Sequence, residues 1–162
     1  MKYFQSITII FILGLAACSQ DSKNNSGILD SIELKDLEGN AVTINQYRGK
    51  VLFINIWATW CKPCIEEMPS IARAQSVLKD KPIVFLLASN EGKERIEAFE
   101  ERRKLGLQYV ELVSLEALQI PALPQTYIIN KHGEIAFSEA GFREWDSDSN
   151  IELLNNLIED ND

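Results

Sequence analysis

Histidine and cysteine are scarce in this chain, with one of the former and three of the latter in 162 residues. His132 falls in Lys131-His132-Gly133, a turn between two apolar runs, which makes it a surface residue. A close pair of cysteines alone could be half of a zinc site, but the residues around this one point elsewhere, and no metal is expected. Two cysteines stand as Cys61-Lys62-Pro63-Cys64, and Cys18 lies far upstream. None is left for a structural bridge, and a domain of this length closes a sufficient core without one. Basic residues are also in deficit, 16 Lys and Arg against 24 Asp and Glu, for a net charge of −8. That balance argues against nucleic acid as a partner and against electrostatic attachment to anionic lipid. No internal repeat is visible, and the apolar run from Ile7 to Leu15 falls short of the ~20 residues of a comfortable membrane span.

The informative stretch is residues 51–69, VLFINIWATWCKPCIEEMP. Val51, Leu52, Phe53, Ile54, Ile56 and Trp57 are too continuously apolar for a sheet with one wet face, which predicts a central strand covered on both sides. Beyond Pro63, Ile65, Met68, Ala72 and Gln75, with Ile71 and Leu78, follow a three-to-four residue period, the pattern of a helix packed on that sheet. Pro63 suits a first helical turn, where its missing N–H would be unpaired anyway. Cys61 then lies at a helix N-terminus, where free N–H groups and the helix dipole favour a thiolate, and Lys62 pushes the same way. Cys64, one turn on, is close enough to close a disulfide and is the more buried of the two. Cys61 is accordingly the attacking sulfur and Cys64 the resolving one.

Around this stretch, residues 28–48 alternate about Glu38-Gly39-Asn40, a hairpin turn between two short strands. Residues 83–89, IVFLLAS, make a second apolar strand, and a strand-helix-strand unit of this length implies a parallel pair with a right-handed crossover. Asn90 is expected to cap a charged helix over residues 91–104 with Ile96 and Phe99 inward; the charges at 100–104 read as a solvated face. Leu107 to Val113 reads as another strand. A proline precedes the strand YIIN, and X–Pro bonds are almost the only ones found cis. YIIN and EIAFSEAG read as a closing antiparallel hairpin. Trp145 is expected to pack over the domain edge, Arg143 carries no functional reading, and residues 147–160 form a last amphipathic helix with Ile151, Leu154, Leu157 and Ile158 inward.

WATWCKPCIEEMP, with Trp60 beside the first cysteine and Pro69 after the second, together with the distant LPQTYIIN, resembles the TlpA/ResA-like thiol-disulfide oxidoreductases of the thioredoxin fold over about residues 28–160. The resemblance implies an α/β domain: a central mixed β-sheet flanked by helices, with an N-terminal β-hairpin extension. It also implies a redox-active Cys61–Cys64 disulfide as the only redox group, with no cofactor. Pro124 matches the cis-proline that stands opposite the CxxC, and Leu123 before it offers backbone to a bound substrate segment, as an added strand would. Trp60, Lys62 and Pro63 would border the substrate. Many thioredoxins carry a buried aspartate six residues before the first cysteine; here that position is Asn55, whose amide cannot act as a base. Glu67, three residues after Cys64, would supply the carboxylate instead, with Glu66 facing solvent.

The N-terminus reads as a secretory signal, with Lys2, an apolar core and the small Ala16 and Ala17. LAAC resembles a bacterial lipobox, giving a signal peptide over residues 1–17, a lipid-bearing Cys18, a polar tether over residues 18–27 and the domain over residues 28–162. Removing the signal takes away only Lys2 among the charged residues, so the anchor would be the lipid. These features point to an extracytoplasmic, membrane-anchored lipoprotein, on the periplasmic side in a Gram-negative cell. It would reduce disulfides of extracytoplasmic proteins with electrons from a membrane thiol donor. Cytochrome c maturation, which needs reduced cysteines, is a family role that fits. A disulfide oxidant or isomerase, a copper chaperone using Cys61 and Cys64, and a peroxidase are the other readings. Potentials in this fold run from about −270 to about −120 mV, and residue types alone leave the direction open.

Overall fold

The computed structural model describes Leu29 and residues 32–160 apart from Ser114. The expected signal, Cys18 and the tether lie outside the described residues. The sheet is built on β3 (Val51–Ile56), whose six residues are all buried. Preceding it are β1 (Leu34–Lys35) and β2 (Ala41–Val42); following it are β4 (Ile83–Ser89), β5 (Gln108–Leu112), β6 (Gln125–Ile129) and β7 (Ile135–Ala140). The seven strands lie in the order β2-β1-β5-β4-β3-β6-β7. β3 runs parallel to β4 and antiparallel to β6, with Asn55 opposite Leu87 on one side and Thr126 on the other. β1 and β2 are an antiparallel pair, turned through Gly39 at φ 91°. The Asn40 backbone and side-chain N–H groups both donate to the Asp36 carboxylate, at 2.7 and 2.8 Å.

Because successive strand residues point to opposite faces, Val51, Phe53 and Trp57 enter one core cluster and Leu52, Ile54 and Ile56 the other. The helices α1 (Lys62–Val77), α2 (Lys93–Arg103) and α3 (Asp148–Glu159) all bury their apolar residues in the first cluster. Right-handed crossovers along β3-α1-β4-α2-β5 account for α1 and α2 sharing that face. The second face is covered by Ile32, Leu118 and two 3-10 turns, Ile44–Tyr47 and Glu116–Leu118.

Three expectations are corrected. The core-facing row of α1 is Cys64, Met68, Ile71 and Ala74, continued by Leu78. Ala74 takes the place expected for Gln75, whose amide instead reaches the Gly106 carbonyl at 3.0 Å from the helix flank. Asn90 does not cap α2. Gly92 does, at φ 81°, because Glu91 turns back across the end of β4 to bind other groups. Trp145 is not an edge residue: it is 1% exposed and meets Phe53 edge-to-face, ring centroids 4.6 Å apart. The segment after β7 folds inward because the Trp145 N–H donates to Ser70 Oγ at 3.0 Å, and that hydroxyl donates to the Glu67 carbonyl at 2.7 Å.

Candidate active site

β3 ends at Ile56, and the chain turns at once into α1. Cys61 is the N-cap of that helix, and its sulfur accepts the Cys64 N–H at 3.3 Å. Lys62 and Pro63 are the first helical residues, and Pro63 costs no ladder bond there. Cys61 and Cys64 form a disulfide with Cα atoms 5.3 Å apart. Cys64 is fully buried and Cys61 is 4% exposed. Around them the surface is open. Trp60 is 72% exposed, Lys62 and Pro63 are exposed, and the Lys62 ammonium lies 3.6 Å from the carboxylate of the solvent-facing Glu66. Once the disulfide is reduced, the amide that now meets the Cys61 sulfur favours its thiolate.

The Leu123–Pro124 peptide is cis. Gln125, the first residue of β6, pairs with Ile56, so the next step of that register sets Pro124 beside Trp57, at the end of the sheet that carries the CxxC. Pro124 is buried and Leu123 half-buried. The Pro124 carbonyl accepts the Gly141 N–H at 2.7 Å.

Glu67 is fully buried, one helical turn from Cys64 on the same face. Its Oε1 accepts Asn55 Nδ2 at 2.6 Å, and its Oε2 accepts the Arg143 backbone N–H at 3.1 Å. The Asn55 amide also donates to Thr126 Oγ1 at 3.0 Å. Burial pushes the Glu67 carboxyl up to about 7, against the opposing pull of the Arg143 N–H, the Asn55 amide and the nearby Trp145 indole. The indole N–H lies close enough to exert that pull but outside hydrogen-bond geometry. A carboxyl that titrates near neutrality can take or give a proton beside a thiol pair.

Two residues that touch the site's neighbourhood carry no signal in the sequence. Arg143 supplies that backbone N–H while its guanidinium pairs with Glu139, donates to Asn150 Oδ1 at 2.6 Å and lies 5.0 Å from the Phe137 ring. Glu91 binds Thr59 ahead of the cysteines, through the backbone N–H at 2.5 Å and the hydroxyl at 2.8 Å. Burial raises the Glu91 carboxyl, but the Thr59 groups and Arg95 outweigh it and hold it below the ordinary carboxylate value. His132 lies in the exposed β6–β7 turn, and among the described residues no three His, Cys, Asp or Glu side chains gather as a metal site.

The sequence model of the AhpC/TSA family matches residues 28–138, well over half of the chain. The chain belongs to the AhpC/TSA family. Within it, the chain is similar to the thiol-disulfide oxidoreductase ResA of Geobacillus kaustophilus, 36% identical over 107 residues, or 63% of this chain and 61% of the relative. It is 27% identical over 149 residues to the thioredoxin-like protein YneN of Bacillus subtilis, covering 83% and 86% of the two chains. The chain thus spans about three fifths of the length of the ResA relatives it matches. A crystal structure of a candidate thiol-disulfide oxidoreductase from Bacteroides vulgatus superposes with a TM-score of 0.67 at 29% identity, covering 77% of this chain and 90% of that one. The fold is thioredoxin-like, and the CxxC, the cis-proline and the mixed sheet of this AhpC/TSA member are of the TlpA/ResA kind.

Proposed function

We propose that this chain is a thiol-disulfide oxidoreductase that reduces protein disulfides. The observation that carries the reading is the Cys61 sulfur, which caps α1 and closes a disulfide with Cys64 at the sheet end where the cis Leu123–Pro124 peptide lies. The relatives named ResA support it. In the reduced chain, the Cys61 thiolate attacks one sulfur of a substrate disulfide. A mixed disulfide forms and the first substrate thiol leaves. Cys64 then gives up its proton, for which Glu67 is the acceptor one turn away, and attacks the Cys61 sulfur. The second substrate thiol leaves, and two electrons have moved from the Cys61–Cys64 dithiol to the substrate.

Glu67 supports the reductive direction. Strong oxidants of this fold gain their potential from a stabilised reduced thiolate, whereas a buried carboxylate next to the thiols disfavours that anion. Cys18 as a lipid anchor, an extracytoplasmic setting, a membrane thiol donor and apocytochrome c clients complete the proposal on the strength of the LAAC pattern and the ResA likeness.

The test is substrate trapping together with the potential. Cys64→Ser accumulates mixed disulfides with client proteins and Cys61→Ser accumulates none; equal trapping by both overturns the assignment of roles. A potential of the Cys61–Cys64 couple near the thioredoxin value of about −270 mV supports a reductant, and one near about −120 mV makes the chain an oxidant.

A further inference from the structure

The proposed exchange leaves one sequestered carboxylate next to the site unused. Glu91 stands two residues past the end of β4, and its side chain is 6% exposed. Across from it, residues 58–61 make a turn in which the Cys61 N–H donates to the Ala58 carbonyl at 3.0 Å, so Thr59 and Trp60 are its central residues. Both donors of Thr59 end on Glu91: the N–H on Oε2 at 2.5 Å and the hydroxyl on Oε1 at 2.8 Å. Arg95 Nη1 adds a third contact, to Oε1 at 3.1 Å. Charge-assisted bonds of this kind are short and roughly twice as strong as neutral ones. They are not needed to join the strands. β3 and β4 pair in unbroken register from Val51–Ile83 to Ile56–Ala88, and the Trp57 N–H continues to the Ala88 carbonyl at 3.0 Å. Glu91 also accepts from the Ser89 hydroxyl at 3.5 Å and pairs with Arg95 on α2, but on the β3 side what it fixes lies beyond the ladder, in the turn that ends at Cys61.

The residue after Thr59 is Trp60, 72% exposed. An indole so exposed has no core packing to orient it, so its place is set by the backbone of the turn. We propose that Glu91 is a positioning residue for substrate docking. By clamping Thr59 it holds Trp60 as a preformed apolar contact beside Cys61 for an extended, disulfide-bearing peptide. A preorganised contact lowers the ordering cost of binding, so the gain lies in substrate affinity and not in sulfur chemistry. This inference rests on the oxidoreductase reading.

The experiment follows oxidation of the reduced full chain by a synthetic peptide closed through a Cys-x-x-Cys disulfide and flanked by apolar residues. KM and kcat are read separately. Glu91→Ala raises KM about tenfold, more than most interface residues cost on truncation, with kcat, the reduction potential and the rate of reduction by dithiothreitol unchanged. Glu91→Gln keeps an acceptor oxygen for the Thr59 N–H and recovers most of the loss. Trp60→Ala gives the same rise in KM, and the double variant adds nothing further, as expected for two residues acting through one contact. An unchanged KM in Glu91→Ala, additive effects in the double variant, or a shift in the potential that tracks the loss each overturn the proposal. A wild-type chain that the peptide does not oxidise overturns the oxidoreductase reading itself and this inference with it. A wild-type chain that turns over normally beside an unaffected Glu91→Ala overturns only the role of Glu91.

Discussion

Asn55 on β3 and Glu67 on α1 meet through a 2.6 Å hydrogen bond inside the protein, the strand supplying the amide and the helix the acid. Where many thioredoxins are expected to carry an aspartate on the strand, this chain carries its carboxyl on the helix and points it at the same place. Neither side chain has solvent to fall back on, so the charge state of Glu67 is decided by the few groups that touch it.

That charge state makes stability depend on pH. The Glu67 carboxyl titrates at about 7 in the folded chain, against an ordinary value of 4.5. Between those values the folded state binds more proton than the unfolded one, so stability falls as pH rises through the window. The full cost above it is on the order of 3 kcal/mol. Urea midpoints of Glu67→Gln and wild type, compared from pH 4 to 8, show a gap that widens in favour of Gln as pH rises. A gap independent of pH would rule this out.

Removing the amide donor exposes the same balance. Asn55→Ala takes away a bond that lowers the Glu67 carboxyl, so its titration moves to higher pH, followed by the infrared carbonyl band of the protonated acid. Asn55→Asp places a second carboxylate against the first; one of the two then holds a proton well above neutrality, and the protein loses stability in alkali faster than wild type.

The thiols report on Glu67 as well. With the carboxylate replaced in Glu67→Gln, the Cys61 thiolate loses a neighbouring negative charge, and its absorbance rises at lower pH than in wild type. A superimposable titration would mean that Glu67 acts on stability alone.

Trp145 tests the packing behind the site. Its ring is wedged against Phe53 and Phe137, with centroids 4.6 and 5.9 Å away, and truncation of a buried aromatic costs about 3–5 kcal/mol. Trp145→Ala lowers the urea midpoint by that order.

Much of this was legible from residue order. The apolar run of Val51–Ile56, broken only by Asn55, marks a strand buried on both faces, and the change of period after Pro63 marks α1 and places Cys61 at its start. Glu67 is singled out by the family resemblance, and its spacing from Cys64 puts the two on one face of α1. What escaped was set by contacts between residues far apart in the chain. Nothing periodic marks residues 141–147, and Trp145 turns inward only because Ser70 and Glu67, more than seventy positions earlier, hold its neighbourhood. Glu91 looks like any acid ahead of a helix; its partner Thr59 is 32 residues away. On α1, Ala74 and Gln75 differ by one step of a helix, less than a pattern of apolar spacing resolves.

The place of the N-terminal hairpin outside β5 has a consequence for how the protein behaves in company. Without it, the five-residue strand Gln108–Leu112 would present a row of free amides and carbonyls to any other chain, the usual template for edge-to-edge association. β1 saturates part of that row, opposite Glu111 and Leu112, and hands the border to β2, only two residues long. A border that short gives a second molecule almost nothing to align with. On that side of the sheet, edge-to-edge pairing between two copies is left with a two-residue template.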